Sequence, residues 1–263
     1  MSKALHVPTM AEMMAKGEKA EYLFWVGCAG SFDERAKKIT KAFVKILNEC
    51  EVSFAVLGTE ESCSGDPAKR AGNEFLFQMQ AMANIEVMNS YEVSKVVTAC
   101  PHCFNTLKNE YPELGGKYEV IHHTQLIQEL FNSGRLKVEG GAFKGKKITY
   151  HDACYLGRAN EEYEAPRSMI QNLDAELVEM KKCKAKGLCC GAGGAQMFKE
   201  PEKGNKDVNV ERTEQALATN PNIIATACPF CNTMMTDGVK NKEKEAEVEV
   251  MDVVELIAQA KDL

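Results

Sequence analysis

No apolar run in this chain approaches the roughly 18 residues that a membrane-spanning helix needs. The opening stretch, MSKALHVPTMAEMMAKGEKAEY, has no continuous apolar core and does not read as a secretory signal. Residues 1–20 read instead as a short polar helix or an arm. Basic side chains form no stripe and the formal net charge is −6, so nucleic acid is not expected as a partner. These absences point to a cytoplasmic, reducing setting. Against them stand eleven cysteines in 263 residues. In a reducing compartment, clustered cysteines mean metal or redox chemistry more often than structural disulfides. A hydrophobic content of 44% over this length can bury one large or two modest cores.

The most unusual string is Cys189-Cys190-Gly191-Ala192-Gly193-Gly194. Successive side chains on an extended backbone point to opposite faces. For two adjacent thiols to reach one object the backbone must bend, and glycine permits that at φ > 0. Exposed N–H groups in such a loop can face an anion. The bland alternative is a cysteine pair beside a flexible loop. The other cysteines narrow the choice. Cys154 follows Cys28 by 126 residues, and Cys189 follows Cys63 by the same 126. Cys228 and Cys231 follow Cys100 and Cys103 by 128. Nine of the eleven cysteines thus fall in two registered sets, and the chain reads as an internal duplication. One position differs: Ser64 stands opposite Cys190.

Apolar runs at 20–27, 52–58 and 95–99, and a strand running into a helix over 118–134, alternate with helical patterns, and the order repeats after residue 147. The helix over 33–51 places Ile39, Phe43, Ile46 and Leu47 on one face. The methionines of the helix over 73–91 are expected in the core. The fold class is therefore α/β, internally duplicated: two Rossmann-like halves, each with a small, mainly parallel sheet flanked by helices. The domains are expected at 1–140 and 141–263, meeting near the glycine- and lysine-rich residues 135–147. Both CPxC turns lie between a strand and a helix. Proline suits the first helical turn, and the free N–H groups there favour thiolate over thiol.

The second-half pattern C-x34-CCG-x37-CxxC, with CYLGR around its first cysteine, resembles the cysteine-rich CCG domain. That domain occurs in one of the subunits of heterodisulfide reductase. It also occurs in iron–sulfur subunits of glycolate, lactate and glycerol-3-phosphate oxidation and of some succinate–quinone reductases. The resemblance implies a non-cubane [4Fe-4S] cluster held by Cys154, Cys189, Cys190, Cys228 and Cys231. The first half lacks the second cysteine of its CCG. Its Cys28, Cys63, Cys100 and Cys103 are four thiolates, which suit tetrahedral zinc or a cubane iron–sulfur cluster. Zinc is the expectation, since some relatives in the succinate–quinone reductase group resemble this pattern and carry zinc in that half. The chain has no ferredoxin-type CxxCxxCxxxCP run, so electrons must pass through separate subunits.

The remaining candidates have plainer readings beside the functional ones. Cys50 reads as packing at a helix end, and Cys183 as a surface thiol. His122 or His123 could serve the first site, although a structural role is the stronger reading. His151 and Asp152 either tune the second site by hydrogen bonds or simply pack. Asp66 could supply an oxygen where a thiol is missing.

The function implied is an iron–sulfur electron-transfer subunit of a multi-subunit, heterodisulfide-reductase-like oxidoreductase. It would relay electrons between a flavoprotein or ferredoxin-like partner and a disulfide or quinone acceptor. A membrane quinone-reducing subunit would place it peripherally at the membrane. One alternative is a thiol–disulfide reductase; its thioredoxin-like form is weakened by the missing aromatic residue before CPHC and CPFC. The other is a zinc-stabilised scaffold with no redox role.

Overall fold

The computed structural model describes residues 5–200 and 203–263. The chain divides into two compact units, Met1–Leu136 and Lys137–Leu263. The first four residues of the expected N-terminal arm lie outside the described part.

In the first unit, four strands form one all-parallel sheet: β1 (Tyr22–Trp25), β2 (Phe54–Ala55), β3 (Lys95–Thr98) and β4 (Glu119–His122), in the order β2-β1-β3-β4. Every residue of β1 is buried, as expected for a parallel strand covered on both faces. The helix Glu34–Glu49 starts where Asp33 accepts a hydrogen bond from the Ala36 N–H. It buries Ile39, Phe43, Ile46 and Leu47, the four residues that the periodicity selects. Phe43 meets Phe24 edge to face at 5.1 Å between ring centroids, a contact worth about 1 kcal/mol beyond burial. The N-terminal helix Met10–Ala15 carries a capping box between Thr9 and Glu12.

The helix Glu74–Ser90 corrects one expectation. Met88 is buried, but Met79 and Met82 are 54% and 60% exposed, alongside Phe75 at 76%. Only Phe77, Ala81, Asn84, Ile85 and Met88 line its buried face. Apolar and polar residues are spread round this helix, with Asn84 on the buried face and Phe75, Met79 and Met82 on the exposed one, so its pattern does not mark which side faces the sheet.

The second unit repeats the plan. Strands β5 (Lys147–Tyr150), β6 (Glu176–Leu177), β7 (Ile223–Thr226) and β8 (Glu249–Asp252) pair in parallel in the order β6-β5-β7-β8. Leu23 pairs with Val96 in the first sheet, and Thr149 with Ile224 in the second. Those residues are 126 and 128 apart, like the cysteines, so the duplication extends to strand register. Met180, Ala216, Ile224, Met235, Val239 and Val248 form a core on one side of the sheet.

In both sheets the chain leaves the first strand for one neighbour and returns to pair on its other side. Between β1 and β3, and between β5 and β7, the winding reverses. Such a switch point leaves a crevice at the carboxyl ends of the strands, where ligands of open parallel sheets bind. The cysteines follow those ends.

Candidate functional site

Each cysteine set is delivered by the same three segments. In the first unit, Cys28 follows β1 at the start of the helix Gly27–Phe32. Cys63 lies in the loop after β2, and Cys100 and Cys103 flank Pro101 where β3 turns into the helix Pro101–Asn105. In the second unit, Cys154 follows β5, Cys189 and Cys190 lie in the loop after β6, and Cys228 and Cys231 flank Pro229 after β7. None of the eleven cysteines is in a disulfide, and Cys100, Cys103, Cys190, Cys228 and Cys231 are buried.

The two CxG turns share one geometry. Gly65 and Gly191 have φ of 88° and 92°, which L side chains rarely adopt. A Cβ at Gly65 would lie 2.7 Å from the Phe77 ring, and one at Gly191 would lie 3.3 Å from Val208. The bend turns the glycine N–H back onto sulfur. Gly65 N–H faces Cys63 Sγ at 3.5 Å, and Gly191 N–H faces Cys189 Sγ at 3.3 Å. These are the anion-facing amides that the glycine string suggests.

In the first site the thiols meet in pairs. Cys28 donates to Cys63, which raises Cys28 well above the ordinary thiol range and, with the Gly65 N–H, brings Cys63 down to about 6. Contact with Cys100 and deep burial raise Cys103. The Ser64 hydroxyl hydrogen-bonds to Cys103, in the place where Cys190 meets Cys231 in the other half. Acidic groups surround this site. Burial pushes the Glu61 carboxyl up to about 7, and it accepts from the Val26 and Gly27 N–H groups at 2.9 and 2.6 Å. Asp66 is committed elsewhere and does not replace the missing thiol. It pairs with His102 Nδ1 at 2.9 Å and Arg70 Nε at 3.1 Å, which hold its carboxyl below the usual range despite burial.

His122 and His123 take the structural reading. Their rings hydrogen-bond to each other at 3.2 Å, His122 bonds Thr124, and Phe43 and Phe104 pack against them. Burial alone lowers His123 to about 3. Between pH ~6.5 and ~3 the unfolded chain takes up a proton that the folded chain refuses, so stability falls as pH falls through that window. His123→Gln should reduce the stability lost between pH 7 and pH 5 by about 2 kcal/mol. Urea melts at pH 7, 6 and 5 would show it; parallel curves for both proteins would contradict it.

In the second site the sulfurs form one continuous chain of contacts. Cys154 meets Cys189, Cys189 meets Cys190, Cys190 meets Cys231 at 3.3 Å, and Cys231 meets Cys228. Contact with Cys154 and Cys190, helped by the Gly191 N–H, drives Cys189 far below the ordinary thiol range. Its neighbours are raised in turn, Cys154 by Cys189 and burial, Cys231 by Cys190 and Cys228. Cations surround this site. Arg167, itself 3% exposed, grips Asp152 at 2.8 and 3.1 Å and Glu179 at 2.6 and 3.0 Å. Asp152 also accepts from the Lys184 N–H at 2.6 Å. Arg158 donates to the Gly187 carbonyl, and Arg212 to the Lys182 carbonyl at 2.7 Å. Three arginines thereby fix the loop that leads into Cys189 and Cys190.

Arg212 escapes a reading of the sequence, although it occupies the buried face of the helix Val208–Leu217 with Thr213 and Ala216. It is fully buried, its Nη2 has no hydrogen-bond partner, and no carboxylate among the described residues pairs with it. Asp152 acts on its charge without pairing with it, and Cys183, Cys231 and Cys190 add less; a buried guanidinium so incompletely balanced is costly. Beside five thiols it suits a group that carries negative charge. Soft thiolates in this number, with buried cations around them, fit an anionic iron–sulfur centre. Cys50 caps the helix Glu34–Glu49 and is buried, as packing requires. Cys183 is half-buried and lies against Glu179, less exposed than a surface thiol.

The cysteine-rich domain CCG matches this sequence twice, at residues 22–108 and 148–236. The probable iron-sulfur-binding oxidoreductase FadF of Bacillus subtilis is 49% identical over 97% of the chain and 36% of its own length. The EtfAB:quinone oxidoreductase of Syntrophomonas wolfei is 46% identical over 93% of the chain and 35% of its own length. One of the subunits of the dihydromethanophenazine:CoB–CoM heterodisulfide reductase of Methanosarcina barkeri is 34% identical over 92% of the chain and 59% of its own length. The chain thus spans little more than a third of the first two relatives.

Proposed function

This chain belongs to the family of the cysteine-rich CCG domain, of which it carries two copies, and on that premise we propose that it is the iron–sulfur electron-transfer part of a multi-subunit oxidoreductase. The observation that carries this reading is the unbroken contact chain of five sulfurs in the second half. Cys154, Cys189, Cys190, Cys228 and Cys231 would hold a non-cubane [4Fe-4S] cluster, which supplies a one-electron store when bound. The chain's own contribution is the glycine turn, the helix start after Pro229 and the buried cations that balance its charge. Cys28, Cys63, Cys100 and Cys103 would hold zinc. Ser64 leaves that site one soft ligand short of its counterpart, and a hydroxyl is a poor substitute for thiolate on iron.

The relatives named for EtfAB and quinone and for heterodisulfide suggest the acceptors: a quinone or a disulfide. The donors would be flavoprotein or ferredoxin-like subunits. No described helix is long and apolar enough to cross a membrane. For a quinone acceptor, a membrane quinone-reducing subunit would be a further partner.

Iron and acid-labile sulfide analysis of anaerobically prepared protein tests the reading. About four irons per chain, with visible absorption that bleaches on reduction, is expected. Colourless protein after full anaerobic reconstitution would rule it out. The first site should keep its metal through an oxidation that destroys the cluster, and removing that metal should lower thermal stability, not electron transfer. Iron lost from both halves together would contradict the zinc assignment.

A further inference from the structure

The imidazole of His151 stands at the end of β5, three residues before Cys154. One of its ring nitrogens lies within 4.8 Å of both Cys190 Sγ and Cys231 Sγ. Its Nδ1 meets Arg212 Nε at 3.0 Å. A guanidinium only donates. The nitrogen facing Arg212 must therefore offer its lone pair, and a neutral ring must then carry its proton on Nε2. Arginine thus selects the tautomer. With Nδ1 occupied as an acceptor, Nε2 could ligate a metal only as imidazolate, whereas as N–H it is a ready donor to sulfur.

We propose that Arg212 and His151 form a relay that presents one N–H to the sulfur side of the second centre, at Cys190 and Cys231, and so sets how readily that centre accepts an electron. The relay rests on the iron–sulfur reading of the site. Hydrogen bonds to cluster sulfurs favour the reduced, more negative form and raise the reduction potential. The Arg212 charge acts most on Asp152 and Cys183, and also on the same two cysteines, Cys231 and Cys190. The first half has a parallel. Its equivalent strand-end residue is Trp25, fully buried, with an Nε1–H that lacks a partner. Both halves therefore place a buried N–H donor at the same strand end.

EPR-monitored redox titration of the anaerobic full chain tests the relay. His151→Phe should move the cluster to more negative potential with iron and sulfide content unchanged, and Arg212→Met should move the potential of the cluster it retains in the same direction. Arg212→Lys, which still donates to Nδ1, should fall between them and the unaltered protein. Unchanged potentials in both variants would overturn the relay. So would loss of iron in His151→Phe, which would make His151 a ligand. ENDOR on the unaltered protein needs no variant to fold. An exchangeable proton coupling that disappears in D2O is expected, and strong nitrogen coupling would overturn the proposal. A chain that takes up no iron at all would instead defeat the reading of the site beneath it.

Discussion

Cys190→Ser should strip or convert the cluster of the second half while leaving that half folded. The first half already displays this exchange: Ser64 occupies the same turn, with the same left-handed glycine behind it, and its hydroxyl bonds Cys103 as Cys190 meets Cys231. The backbone therefore tolerates serine. The chemistry does not, because a hard hydroxyl replaces a soft thiolate in the middle of the sulfur chain, between Cys189 and Cys231. Iron should fall from about four per chain, and the visible spectrum should be lost or change shape. Cys50→Ser is the matched control. Cys50 is buried at a helix end, outside both cysteine sets, and its loss should leave iron and spectrum intact. Iron content and absorption of the two variants, prepared side by side, decide this. Equal behaviour of the two would mean that the repeat does not mark the ligands.

Arg167→Met should destabilise the second half by about 3–5 kcal/mol, because it leaves Asp152 buried without its counter-charge. Both members of that pair have side chains only 4% exposed, and Arg167 also holds Glu179. Asp152 in turn takes the Lys184 N–H, so the loss would loosen the loop that leads to Cys189. Adding Asp152→Asn should restore part of the lost stability, as expected for two residues in one network. Urea unfolding of the single and double variants measures this. A single variant within about 0.5 kcal/mol of the unaltered protein, the range of ordinary surface changes, would show that the pair is not structural.

The cysteines make most of this architecture legible in advance. Their offsets announce a duplication, and the apolar runs before Cys28, Cys100, Cys154 and Cys228 announce strands that deliver them. Parallel pairing then brings the carboxyl ends together, which makes the site a consequence of the topology. The glycines after Cys63 and Cys189 are legible for the same reason, since a thiol pair that must bend the chain needs φ > 0. The cations and acids around the thiols are not. Arg212 sits within VERTEQAL, a helix whose pattern looks ordinary until its buried face is known. Glu61 is hidden among polar loop residues and His102 within the CPHC turn, and the partners of both lie far away in sequence. The methionines at 79 and 82 mislead because apolar composition predicts burial only when one face of the helix is polar. Cys183 resembles a surface thiol because three lysines surround it; its neighbour Glu179 comes from the strand-end segment four residues earlier.

The difference between the halves is the central claim, and element-resolved anomalous diffraction at the iron and zinc edges tests it most directly. Iron among Cys154, Cys189, Cys190, Cys228 and Cys231, with zinc and no iron among Cys28, Cys63, Cys100 and Cys103, is the predicted result. Zinc in both sites, or no iron signal in the second, would contradict the account.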